Sequence, residues 1–172
     1  MERERYLKNR VASIRVEPYL AEYARKKFAV DPKSGGIKIP YTFELYHCIY
    51  NRMEKKPAGA VENPDANLTI NLPDSRMMAV RKHPEYWNWL SLSAIAEIES
   101  CLRSLFNYDF HTVMMANEVM GRPKQQREIV DDFISEYRLT QITSDALLKN
   151  FQRYRMRLSP RKKRKYQKVA RI

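Results

Sequence analysis

The chain has 172 residues, 44% hydrophobic and 11% aromatic with only four glycines, which is enough apolar matter for a proper core and too little glycine for a glycine-rich phosphate loop or a long flexible protein. No apolar run approaches the roughly 20 residues that span a bilayer, and the charged start MERERYLKNR lacks the apolar stretch of a secretory signal. The net charge of +12 is unevenly spread: residues 149–172 hold 11 Lys or Arg and no acid, leaving 21 bases against all 20 acids in the rest.

That asymmetry is the footprint of a polyanion-binding element. An intracellular protein is expected, in the cytoplasm or nucleoid, or in the nucleus where the cell has one. Two widely separated cysteines, Cys48 and Cys101, read there as small reduced core residues.

In chain order, RVASIRV at 10–16 alternates as a half-buried strand, with Ala12, Ile14 and Val16 on one side and Ser13 and Arg15 on the other. A helix follows at Pro18, which suits a first turn, with Tyr19, Leu20, Tyr23, Ala24 and Phe28 at helical spacing. DPKSGG at 31–36 is a turn signal. The short stretch IKIP leads into a helix over 42–54, with Thr42 placed to cap and Leu45, Ile49 and Met53 as its apolar stripe.

Residues 56–66 read as a surface loop, and LTINL at 68–72 as a strand closed by Pro73. From 84 to 120 the pattern is helical: a lead-in at HPEYW, a long amphipathic helix with Ile95, Ile98, Leu102, Leu105 and Phe106 as its stripe, and a further piece from 108. Gly121 and Pro123 mark a boundary, after which helices over 124–138 and 144–158 flank a break at LTQIT.

The fold class that follows is mainly α with a minor β element (α+β). A mainly helical domain covers 1–120, with short strands near 10–16 and 68–72. A helix-turn-helix-like pair covers 121–160, and a basic tail over 161–172 is expected to be disordered when unbound. Strand, Pro-started helix, loop and second helix over 9–56 also have the order of a ribbon-helix-helix module, with Ser13 and Arg15 toward bases. Pairing of RVASIRV with IKIP and LTINL in a small in-chain sheet is the favoured alternative.

The last helix carries the sharpest signal. At about 100° per residue, Leu147, Phe151, Tyr154 and Leu158 share one side with Leu148 at its edge, and Lys149, Gln152, Arg153 and Arg157 lie opposite. The preceding helix sets Ile129, Val130, Phe133, Ile134 and Tyr137 against Glu128, Asp131, Asp132 and Glu136. An acidic face is repelled by phosphate, so this helix supports and the next one reads, as in a helix-turn-helix pair. The candidate nucleic-acid contacts are Lys149, Gln152, Arg153 and Arg157 with Arg161, Lys162, Lys163, Arg164 and Lys165 of the tail.

The expected partner is nucleic acid, duplex DNA over RNA, with no membrane and homodimerisation left open. The expected role is a DNA-binding accessory or regulatory protein, a transcriptional regulator among the options. The alternatives are an RNA-binding protein, if Tyr86, Trp87 and Trp89 lie exposed beside the basic face, and a structural subunit whose tail docks on an acidic partner. The aromatic cluster and Met114, Met115 and Met120 otherwise read as packing.

No enzyme is expected, and no cofactor or metal. His47, Cys48, His83, Cys101 and His111 lack ligand spacing, and Glu97 with Glu99 or Asp131 with Asp132 point too far apart on a helix for a two-metal site.

Overall fold

The computed structural model describes residues 10–61, 63–74 and 80–158, which are 52% helical and 10% strand and thus form a mixed α+β fold. In chain order the elements are β1 (Val11–Ile14), α1 (Pro18–Lys27), β2 (Ala29–Val30), β3 (Ile37–Lys38), α2 (Glu44–Arg52), β4 (Leu68–Asn71), α3 (Leu92–Val119), α4 (Gln126–Tyr137) and α5 (Ser144–Leu158).

The three stretches expected to share a sheet do so. The order is β1-β4-β3-β2, with β1 antiparallel to β4, β3 parallel to β4 and β2 antiparallel to β3. Ala12 and Ile14 of β1 and Leu68 and Ile70 of β4 are buried, while Ser13 and Thr69 stand opposite each other with their hydroxyls 3.3 Å apart. Period-two alternation has put the apolar side of β1 and of β4 into the core. Asn67 locks the corner by accepting from the Val16 N–H at 3.0 Å and donating to its carbonyl at 2.8 Å. In the β2–β3 turn Gly36 lies so close to β4 that a Cβ would sit 2.4 Å from Asn71 Oδ1, which explains the glycine there. The chain thus adopts the in-chain sheet, with β1 engaged by β4.

Helix α1 starts at Pro18 and buries Leu20, Ala21, Tyr23 and Ala24. Helix α2 buries Leu45 and Ile49, with Met53 buried just past its end, but Thr42 does not cap it. Phe43 holds the N-cap position without a side-chain bond, and its ring packs edge-on against Phe28 at 5.3 Å, so packing sets this helix start.

Two expectations for 84–120 need correction. HPEYW is a turn rather than a helix, because the Trp89 backbone is taken by an antiparallel bridge to Glu54. There is also no separate piece at 108. Helix α3 runs unbroken for 28 residues from its Ser91 cap, which accepts from the Ala94 N–H at 3.4 Å. The weak helix formers at 107–109 stay helical because Phe106, Phe110 and Met114 continue one buried stripe through them.

Helix α3 packs against each of the other four helices. Around its middle Phe106, Phe110, Phe133, Tyr23 and Tyr137 meet with ring centres 4.7–6.4 Å apart, mostly edge-to-face or tilted. Beneath them Asp109 accepts from Tyr23 and Lys27, both at 2.6 Å, tying α1 to α3. Burial, with the Asp109 hydrogen bond adding to it, raises the Tyr23 phenol far above its ordinary range. Met114 is buried as expected and Met115 partly so, but Met120 is exposed at the helix end.

Candidate nucleic-acid interface

Three local devices place α4 and α5. Buried Asn117 clamps the connection after α3, donating to the Lys124 carbonyl at 3.0 Å and accepting its N–H at 3.2 Å, across the left-handed residues Gly121 and Arg122. Helix α4 ends at Arg138, also left-handed at φ 52°, and buried Leu139 turns the chain back, its N–H bonding to the Ile134 carbonyl at 2.9 Å. The Glu22 carboxylate on α1 then holds that connection, accepting from the Thr140 N–H at 2.8 Å and its hydroxyl at 2.5 Å. The α4–α5 connection, residues 138–143, is longer than the three or four residues of an ordinary helix-turn-helix and has Arg138 where glycine is common.

Thr143 caps helix α5, its hydroxyl accepting from the Ala146 N–H at 3.2 Å, and Ser144 donates to Asp131 of α4 at 2.6 Å. Its inner face carries fully buried Leu147 and Phe151, and Tyr154 stacks on His111 of α3 with ring centres 4.0 Å apart. Asn150 adds a polar tie: it donates to Asn107 at 3.0 Å and faces His111 Nε2 through Oδ1 at 2.6 Å, so that nitrogen carries the donated hydrogen. Leu158, expected on the dry face, is 56% exposed. The supporting helix α3 ends before it, and the buried stripe of α5 stops at Tyr154.

The outward face carries Lys149, Gln152, Arg153 and Arg157, all exposed as expected. Lys149, Arg153 and Arg157 recur every four residues, so they climb the helix in one row at about 6 Å per step. None of the three makes an ion pair with a described residue. Arg155 shows the contrast: it pairs with Glu118 at 3.3 Å and lies over the Phe151 ring, and Glu118 also holds Arg122 and Gln126. On α5 the basic row is thus what remains once Arg155 is paired. Arg161, Lys162, Lys163, Arg164 and Lys165 lie outside the described residues.

The acidic face of α4 is exposed as expected, with Asp132 paired to Lys124 at 2.7 Å. Glu97 pairs with Arg52 and Glu99 with Arg103, and among the described residues no group of three or more His, Cys, Asp or Glu could hold a metal ion. No described helix is long and apolar enough to cross a membrane. Trp87 and Trp89 are half-buried and Tyr86 is exposed, at the far end of α3 from α5 rather than beside the basic row. Sequence reasoning missed two pairings that only the fold makes, lysines 55 and 56 with these tryptophans and Cys48 with Cys101 at 3.0 Å. Neither has a local spacing signal.

No protein-family model matches the chain, and neither a curated protein nor a solved structure matches it.

Proposed function

We propose that this protein is a DNA-binding accessory or regulatory protein that holds duplex DNA, in preference to RNA, on the outward face of α5, with residues 161–165 extending the contact. The observation that carries the reading is the row Lys149, Arg153 and Arg157, three exposed cations without ion-pair partners among the described residues, on a helix whose opposite face is fixed by Leu147, Phe151 and Asn150. A fixed row of that kind neutralises phosphates with little ordering cost beyond the side chains themselves. Gln152 lies beside the row, next to Arg153 in sequence, and its amide both donates and accepts, as bidentate pairing with adenine requires. Arg153 offers the same fork to guanine.

The test is duplex affinity against salt concentration for the wild type and the triple variant K149A/R153A/R157A. Three lost phosphate contacts should lower the slope of log K against log salt by about 2.7, at about 0.9 per phosphate. Gln152→Ala should leave that slope alone and remove about 1 to 3 kcal/mol of discrimination at one base pair in a selection from random duplexes. An unchanged slope in the triple variant, or equal binding of a polyglutamate of matched charge, refutes the reading and favours a tail that docks on an acidic partner.

A further inference from the structure

At the opposite end of α3 from α5, three lysines stand over the chain's two tryptophans. Lys55 Nζ lies 5.6 Å and Lys82 Nζ 5.2 Å from the centre of the Trp87 ring, and Lys56 Nζ lies 5.7 Å from that of Trp89. Tertiary structure builds this arrangement, since lysines 55 and 56 follow α2 whereas the rings precede α3. The bridge between Glu54 and Trp89 joins the two segments through N–H to carbonyl bonds of 2.9 and 3.1 Å. The Lys82 ammonium donates to the Asn51 and Met53 carbonyls at 2.7 and 2.8 Å, capping the end of α2. The Tyr50 hydroxyl closes the corner by donating to the Val80 carbonyl and accepting the Lys82 N–H, both at 2.8 Å.

The result is an open cleft of about 490 Å³ between Lys55 and Lys56 on one side and Glu85, Tyr86, Trp87 and Asn88 on the other. Tyr86 is 66% exposed, with the His83 ring 6.1 Å away and tilted to it, so most of its surface is open to a flat partner. Among the described residues around it the charges sum to positive: lysines 55, 56 and 82 stand against the carboxylates of Glu54 and Glu85. Of those two, Glu85 lies 3.8 Å from His83 and Glu54 accepts from the Ser91 hydroxyl.

We infer that this cleft takes unpaired bases of a single-stranded nucleic acid, stacked on Tyr86 and Trp87, with the flanking phosphates drawn by the surrounding lysines. A base offers a ring more than an exposed ammonium does, so Lys55 over Trp87 is an exchangeable occupant that can swing to a phosphate, whereas Lys82 stays on its two carbonyls. Aromatic faces discriminate between the polyanions that the lysines alone would accept. The negative face of a ring repels a carboxylate and stacks with a base, so an acidic peptide does not fit. In a duplex the base faces are already stacked on one another and cannot reach a cleft of this kind. From Leu92 to His111 is nineteen residues, about 28 Å of helix, so this contact is spatially separate from the one proposed for α5.

Because the chain's two tryptophans both lie in this region, intrinsic tryptophan fluorescence reports on it directly. Titration of the full chain with a short oligothymidylate should quench that fluorescence saturably, and a duplex of the same length should not. Tyr86→Ala and Lys55→Met, each with a wild-type far-ultraviolet dichroism spectrum, should raise the half-saturation concentration roughly tenfold. K149A/R153A/R157A should quench like the wild type while losing duplex binding, so failure of the α5 reading and failure of this one are distinguishable. Quenching that is absent, that duplex or polyglutamate matches, or that Tyr86→Ala leaves unchanged overturns the inference.

Discussion

Phe133→Ala tests whether the helix pair and the rest of the chain share one core. The Phe133 ring is 2% exposed and its ring partners are Phe106 at 5.7 Å, Phe110 at 5.2 Å and Tyr137 at 4.7 Å. Phe110, 6.5 Å from Phe151, is the ring that links α4 to α5. Removing a fully buried ring costs about 3 to 5 kcal/mol, transfer and cavity together. A domain of this size is stable by about 5 to 15 kcal/mol, so the variant should fold and lose roughly 6 to 20 °C in Tm at about 2 to 4 °C per kcal/mol. Urea unfolding followed by far-ultraviolet dichroism and by tryptophan fluorescence measures the loss and its reach. Dichroism weights all the helices, whereas Trp87 and Trp89 watch the far end of α3. If the shared aromatic core couples both ends, the two curves shift together. A loss under about 1 kcal/mol would refute the packing argument. A dichroism shift with an unmoved fluorescence curve would make α4 and α5 a separate module.

Two further predictions concern titratable groups. Cys48 and Cys101 have sulfurs 3.0 Å apart between α2 and α3, and burial, with the Cys101 contact adding to it, pushes the Cys48 thiol up to about 12. Oxidised glutathione at mildly alkaline pH should therefore join them slowly, releasing two glutathione molecules per disulfide, with a 2 Da mass loss as the readout, roughly the mass of two hydrogens. Closing a loop of this length stabilises by about 4 kcal/mol in the chain-entropy account, and a lasting mixed glutathione adduct would refute the pairing. Burial lowers the His111 pKa, with the Asn150 contact opposing it and Arg157 adding to it. Below about pH 6.5 the unfolded chain then binds a proton that the folded one does not. Stability should fall as pH drops from about 6.5 toward the folded pKa, and His111→Gln should remove that part of the fall. Identical pH profiles would disprove it.

Elements with a clean period were legible in the sequence. The β1 and β4 alternation, the α2 stripe and both faces of α4 and α5 came through, because each has one buried side and one wet side. What was not legible depended on contacts between distant segments. Nothing local tells that the Trp89 backbone is captured by Glu54, so HPEYW read as helix. Thr42 looked like a cap, but the Phe43–Phe28 contact decides where α2 begins. Leu158 has the right phase for the core and lacks a neighbour to bury it. The candidate contacts on α5 were legible because exposed cations without ion-pair partners opposite a buried stripe need only helical geometry. The lysine–tryptophan cleft was not, since its two halves are some thirty residues apart.

The charge around α5 also limits how it could meet DNA. Its first turn holds Asp145, and the adjoining α4 surface holds Asp131, Asp132 and Glu128, so a phosphate approaching the N-terminal end of α5 meets four carboxylates against the two cations Arg127 and Lys124. In the usual helix-turn-helix docking the N-terminal residues of the second helix reach the bases, and here that end is the repelled one. Attraction begins at Lys149, one and a half turns in, and grows toward Arg157, since α5 carries no acid beyond Asp145 and Glu118 of α3 is taken up by Arg155 and Arg122. The proposed duplex contact is therefore tilted, with the C-terminal half of α5 nearest the phosphates and residues 161–165 continuing along the same backbone. Gln152 sits at the start of that half, where a tilted helix could still place one amide on a base edge while Lys149 before it and Arg153 and Arg157 after it hold the strands.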